Sequence, residues 1–124
     1  MLIDEELTEK IIGCAIRVHR LTGPGCLESV YEICLAHELA KAGLRVERQV
    51  EVPIIYDGVR LDAGFRIDLL VDGRVIVEIK AVDKLAPIHE AQLMTYLRLS
   101  GHRVGLLINF NVTVLKSGIL RRVL

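Results

Sequence analysis

The run from Ile67 to Lys80, Ile-Asp-Leu-Leu-Val-Asp-Gly-Arg-Val-Ile-Val-Glu-Ile-Lys, leaves the chain little freedom of fold. Two β-rich arms flank an Asp-Gly pair, a strong short-range hairpin signal, so a sheet must form here. Each arm carries ionisable residues where a strand in this setting would prefer apolar ones: Asp68 on the first, Glu78 and Lys80 on the second. Side chains alternate along a strand with period two, so Glu78 and Lys80 share a face. Carboxylates beside an ammonium suit a divalent cation, because hard ions such as Mg2+ take carboxylate and carbonyl oxygens and keep waters for chemistry. The competing reading turns Val75, Val77, Ile79 and Ala81 to the core and leaves Arg74, Glu78 and Lys80 on a solvated face. A Glu-x-Lys triplet alone recurs by chance about once per ~250 residues at ordinary composition.

Hairpin register decides whether Asp68 and Glu78 can meet. If Asp72-Gly73 closes a plain two-residue loop, Asp68 pairs with Val77 and Glu78 turns to the opposite face. A G1 bulge with Gly73 in the left-handed conformation shifts the pairing by one. That sets Asp68 against Ile76, beside Glu78 on a common face. Strong splaying of the two strands would serve as well.

The remainder of the chain constrains class more than chemistry. Its 124 residues suffice for a single domain, 1–124, with a real core. Hydrophobic residues make up 52% and mean hydropathy is +0.41. Yet no apolar run approaches bilayer length, and no charged segment followed by an apolar one opens the sequence. The expectation is a protein with no membrane segment and no signal peptide. The apolar surplus goes to buried strands and to a subunit interface, giving a homodimer or higher oligomer, with Val112 to Leu124 the preferred contact. Sixteen basic and sixteen acidic residues cancel, which excludes a protein that coats nucleic acid by charge alone. Local patches remain open: Arg45 with Arg48, Arg98 with Arg103, and Lys116 with Arg121 and Arg122. Cys14, Cys26 and Cys34 lack CxxC spacing, which argues against a disulfide framework or zinc site and for a reducing cytoplasm. The four histidines show no ligand spacing, and His89 alone lies near the suspected site.

Periodicity places the elements. Asp4 is the expected N-cap of a helix with the stripe Leu7, Ile11, Cys14, Ala15 and Val18, broken at Thr22-Gly23-Pro24-Gly25. A second helix runs from about Leu27 to Lys41 and stops at Gly43. Alternation over 46–56 predicts a strand with Val46, Val50, Val52, Ile54 and Tyr56 on one face; Pro53 marks an edge or a bulge. Asp57-Gly58 turns into a second strand ending at Val71, and Asp72-Gly73 into a third. Pro87 opens a helix that runs to Leu99 and closes at Ser100-Gly101. An apolar strand from Arg103 to Asn109 follows, parallel to its neighbour through a right-handed crossover. A final hairpin is expected over 112–123 around Ser117-Gly118. No Gly-rich phosphate loop follows a strand, so a nucleotide-binding sheet is set aside.

Two further signatures stand beside the hairpin: Gly25-Cys26-Leu27-Glu28-Ser29-Val30-Tyr31 at the start of the second helix, and Gln92-Leu93-Met94-Thr95-Tyr96 on the third. With Asp68-Leu69-Leu70-Val71, Glu78-Ile79-Lys80-Ala81-Val82 and Gly105 to Phe110, they resemble the GxxExxY family, grouped with the PD-(D/E)XK nuclease superfamily. The likeness spans about Leu21 to Phe110 and departs at Asn111, where that family usually has Gly. It implies an α+β, restriction-endonuclease-like core: a mixed four-stranded sheet flanked by helices, in the order ααβββαβ. It implies a metal-dependent nuclease acting on DNA or RNA, in which Asp68, Glu78 and the Ile79 backbone carbonyl hold Mg2+ or Mn2+. Lys80 would orient the attacking water and stabilise charge at phosphorus. Glu28 would hold metal through water or bind a second ion, although a first-turn Glu is also what a helix dipole favours. Gln92 and Tyr96, four apart on one helix face, would contact phosphate or the catalytic lysine. Tyr31 reads as a core residue, and Gly25 serves the turn before its helix. The alternative from a different class is a non-catalytic interaction or nucleic-acid-binding module that keeps the fold.

Overall fold

Between Asp57 and Gly58, and again at Asp72 and Gly73, the backbone takes positive φ at both residues, the geometry that matches the twist of a hairpin. These turns organise a computed structural model that describes residues 3–124, with no account of the Ala63 side chain. Helix α1 covers Glu5–Thr22 and α2 covers Glu28–Lys41. Strands β1 (Val46–Tyr56), β2 (Val59–Val71) and β3 (Val75–Lys80) follow. Then come α3 (Pro87–Ser100), β4 (Val104–Asn109), a 3-10 turn (Leu115–Gly118) and β5 (Ile119–Val123). The sheet order is β1-β2-β3-β4-β5. Only β3 and β4 run parallel, as the crossover through α3 requires.

This is the mixed α+β architecture expected of a restriction-endonuclease-like core, with one strand more than the four expected. The expected C-terminal hairpin does not form: Leu115–Gly118 coils into the 3-10 turn and a single strand, β5, pairs with β4. Gly118 packs so tightly that a Cβ there would stand 2.3 Å from the Asn109 carbonyl oxygen. Asp4 is the N-cap residue of α1, as expected, and its carbonyl accepts the Thr8 N–H at 2.9 Å, but its side chain does no capping. The residue takes positive φ, and its carboxylate pairs with Arg74 at 2.9 Å.

The sheet has a core on each face. Leu7, Ile11, Ala15 and Val18 of α1, with Tyr31, Leu35 and Leu39 of α2, pack on Leu69, Val71, Val75, Val77, Ile79, Leu106 and Ile108. Leu93 and Leu97 of α3 cover Leu70, Ile76 and Leu107 on the other side. The outer ribbon crosses from one face to the other. Val46 belongs to the α1–α2 core, whereas Val50 and Val52 belong to the α3 core. Along β2, Leu69 and Val71 face α1 and α2, while Ile67 packs with the α3 core and the Phe65 ring lies 4.9 Å from that of Tyr96. Both strands switch sides at Gln49 and Asp68. The single face expected for Val46 through Tyr56 is therefore interrupted by Gln49, whose φ of 53° breaks the alternation. Pro53 sits at a register shift between Val52 and Ile54, on an edge strand, as its missing N–H requires.

Candidate active site

Three residues, Asp72, Gly73 and Arg74, separate the paired Val71 and Val75, with Leu70 opposite Ile76 and Leu69 opposite Val77. Continued by one step, this register sets Asp68 across from Glu78. The shift runs opposite to the G1 bulge that would have put Asp68 against Ile76. Asp72 and Gly73 both occupy the left-handed region, and Arg74 is the added residue. Asp72 is fixed there by its N–H on the Arg45 carbonyl and its Oδ1 on the Arg45 N–H, each at 2.8 Å. The parity obstacle disappears because directly opposed residues share a face.

At Asp68 the ladder between β2 and β3 stops and side chains take over. Asp68 Oδ2 accepts the Ile79 N–H at 2.8 Å, and Glu78 Oε1 accepts the Asp68 N–H at 3.2 Å. Glu78 is only 6% exposed. Burial, and then the Asp68 charge, push its carboxyl up to about 9. Burial also raises Asp68, against the pull of the Ile79 N–H. Lys80 follows Glu78 by two residues along β3 and so shares its strand face, and its charge draws both carboxyls downward. A strand residue presents its N–H and C=O to the same side, so the Ile79 carbonyl turns with its N–H toward the Asp68 edge. The Lys80 carbonyl turns the other way and accepts the Phe110 N–H at 2.9 Å.

Glu28, Ser29, Glu32, Gln49, Asp68 and Ile79 line one cleft of about 340 Å³ at this fork. Glu28, exposed in the first turn of α2, accepts the Ala81 N–H with Oε2 at 3.1 Å and so grips the chain just past Lys80. Larger clefts beneath α1 and beside the β1–β2 ribbon hold none of these residues. Tyr96 is half-buried. Burial raises its hydroxyl first, and the charges of Glu78 and Asp68 add to this, so its ring stands near the carboxylate pair. Gln92, one turn before it, is exposed and makes no side-chain hydrogen bond among the described residues. His89 is drawn off to cap α3, its Nδ1 accepting the Ala86 N–H at 3.0 Å.

The Gly25–Tyr31 segment holds Glu28 in place. Tyr31, fully buried, stacks on Phe110 at 4.5 Å; its hydroxyl donates to the Gly23 carbonyl at 2.7 Å and accepts the Cys26 N–H at 3.0 Å. Gly25, at φ 96°, donates to Asn111 Oδ1 at 3.2 Å. The departure at Asn111 therefore adds a tie between the two loops. Two contributors escaped sequence reasoning. Buried Asn109 accepts the Val82 N–H at 3.0 Å and donates to the Val82 carbonyl at 2.8 Å. Buried Glu32 accepts from Arg48 at 3.0 and 3.2 Å and from Gln49 at 2.6 Å. Their only sequence signals were an Asn ending an apolar strand, and a Glu one turn beyond Glu28 on the same helix face.

The donor set fits a small hard cation. It offers two carboxylates and a backbone carbonyl at one fork, and the Lys80 charge does not offset the burial and mutual repulsion that keep the two carboxyls from ionising together. Among the described residues, no group of three or more His, Cys, Asp or Glu side chains gathers at a metal-binding distance. A bound ion would thus keep several waters, as Mg2+ does.

Compared with known families, residues 5–123 match the model of the PD-(D/E)XK nuclease superfamily. Neither the curated proteins nor the solved structures hold a significant match to the chain.

Proposed function

The chain belongs to the PD-(D/E)XK nuclease superfamily, and we propose that it is a divalent-metal-dependent nuclease of the GxxExxY type that hydrolyses phosphodiester bonds in DNA or RNA. The observation that carries this reading is the meeting of Asp68 and Glu78 where β2 and β3 part, with Lys80 two residues on along the same strand face. Asp68, Glu78 and the Ile79 carbonyl hold Mg2+ or Mn2+. When bound, the cation supplies Lewis acidity, neutralising phosphate oxygens and making a water more acidic. Lys80 orients that water and meets the charge that develops at phosphorus. Glu28 keeps Ala81, and with it the end of β3, in position, and its second oxygen is available to a water or second ion. Gln92 and Tyr96 present the α3 face to the substrate backbone. A role as a non-catalytic module would leave a buried carboxylate pair with no use, where an apolar pair would be more stable.

Residues 1–124 act in this reading as one cytoplasmic domain. No helix among the described residues is long and apolar enough to cross a membrane. The assay is cleavage of duplex, single-stranded and branched DNA and of RNA with Mg2+ or Mn2+, comparing wild type with Glu78→Ala and Lys80→Ala. Wild-type cleavage, with losses of about 10²-fold or more in both variants, supports the reading. Wild-type inactivity on every substrate, or activity unchanged in Glu78→Ala, overturns it.

A further inference from the structure

Gln49 is a non-glycine residue at φ 53° in the middle of a strand, where both β1 and β2 change faces. Such a backbone costs roughly 1–3 kcal/mol and persists where surrounding structure over-determines it. Here its amide nitrogen has two acceptors: Glu32 Oε1 at 2.6 Å and Asp68 Oδ1 at 3.4 Å. An amide NH2 has two hydrogens, so it can serve both carboxylates at once. The anchor is firm. Glu32 is 7% exposed and its other oxygen is held by two Arg48 bonds. Asp68 Oδ2 is already engaged by the Ile79 N–H. Gln49 is thus the group that sets the remaining oxygen, Oδ1, by reaching across from the α2 side.

We propose that Gln49 is a positioning residue for the Asp68 carboxylate, held in its strained conformation by Glu32 and Arg48, and that this relay pre-organises the cation site. The inference rests on the metal-dependent reading of Asp68 and Glu78. Two carboxylates one amide apart would otherwise repel, and the Asp68 side chain would swing toward solvent in the open cleft. With Gln49 between them, Glu32 supplies anchorage and Arg48 cancels its charge.

Glycine at position 49 separates the relay from the backbone, because it accepts positive φ without strain but has no amide to offer. Gln49→Gly relieves the backbone strain but leaves the buried Glu32 Oε1 without its partner, so the melting temperature of the metal-free protein should stay near that of wild type. The variant should also weaken Mn2+ binding, followed by electron paramagnetic resonance, by about 10- to 100-fold, the usual loss on removing an outer-shell partner. Cleavage should lose kcat with little change in KM. Glu32→Ala, which removes the anchor of Gln49, should weaken Mn2+ less, by several-fold. Asp68→Ala serves as the reference without the site. If wild type binds Mn2+ well above Asp68→Ala while Gln49→Gly binds within twofold of wild type, the relay is overturned and the metal site stands. If wild type binds no better than Asp68→Ala, both readings fall together.

Discussion

Asp68 and Glu78 are each bound to the other's strand: Glu78 Oε1 takes the Asp68 N–H, and Asp68 Oδ2 takes the N–H of the residue after Glu78. This exchange replaces the backbone ladder beyond the Leu69–Val77 pair. It fixes two carboxyls against each other in a nearly dry setting, and their charge state then governs both stability and metal affinity.

The first prediction concerns pH. Glu78 is raised from 4.5 to about 9, chiefly by burial. A carboxyl with a raised folded-state value binds more protons folded than unfolded between those limits, so stability falls as pH rises through that window. In metal-free wild type the melting temperature should decline from pH 5 to pH 9. Glu78→Gln should flatten the slope and be the more stable protein at pH 8, by an amount on the order of a few kcal/mol. Added Mg2+ should restore wild type and leave the variant unmoved. Parallel pH profiles for the two proteins would contradict this.

Asn109 and Glu28 hold the chain that leaves Lys80, one through Val82 and the other through Ala81. Asn109→Ala leaves a half-buried N–H and C=O at Val82 without their side-chain partner, a loss of about 1 kcal/mol. Hydrogen exchange should quicken over residues 81–86 before it does so in β3. Glu28→Gln keeps an oxygen for Ala81 and should leave that exchange as in wild type, whereas Glu28→Ala should speed it. Equal exchange in both Glu28 variants would remove Glu28 from this role.

Gln92 and Tyr96 separate by environment. Exposed Gln92 supports no packing, so Gln92→Ala should shift stability by less than about 0.5 kcal/mol. Its effect should appear as a several-fold rise in KM for nucleic acid with kcat nearly kept. Tyr96 packs on Phe65 near the carboxylates, so Tyr96→Ala should cost stability as well as activity. Steady-state kinetics beside urea unfolding checks both, and an unchanged KM in Gln92→Ala would take Gln92 out of the substrate site.

Much of this was legible in the sequence, and the failures share one cause. Helix stripes and Gly stops located α1, α2 and α3 because each is a local pattern. Pro53 and Tyr31 were read correctly because a missing N–H and a large ring restrict their settings. The meeting of Asp68 with Glu78 was readable only as a parity question. Its answer depended on both Asp72 and Gly73 taking positive φ, with Arg45 fastening Asp72 from another strand. The face switch at Gln49 was invisible to a period-two rule, which assumes that every residue stays extended. Glu32 and Asn109 gave only a faint signal because their worth lies in partners 16 or more residues away.

Association gives the last prediction. In the C-terminal segment preferred from composition, β5 completes the sheet and Leu115 is buried, while Val114, Val123 and Leu124 stay exposed. Further exposed apolar groups lie at Leu21, Leu27, Val30 and Ile33 of the helical layer and at the end of the β1–β2 ribbon, and the ribbon end is the one that lacks a covering element among the described residues. There, residues 59–67 of β2 pair with β1 and not with β3, and Ile55, Tyr56, Val59 and Leu61 are exposed. A two-stranded ribbon with an apolar tip is marginal alone in water and gains from a partner. Nucleic acid is a poor candidate for that tip, since Glu47, Glu51, Asp57 and Asp62 outnumber Arg48, Arg60 and Arg66 along the ribbon. A second copy suits it better. Glu51 with Arg66 and Arg60 with Asp62 already alternate in sign, a pattern that is self-complementary about a two-fold axis. Sedimentation at micromolar concentration should show a dimer for wild type and a monomer for the Ile55→Asp, Tyr56→Asp double variant, with metal binding retained. A monodisperse wild-type monomer refutes the dimer, and a dimer that survives the double variant moves the interface off the ribbon.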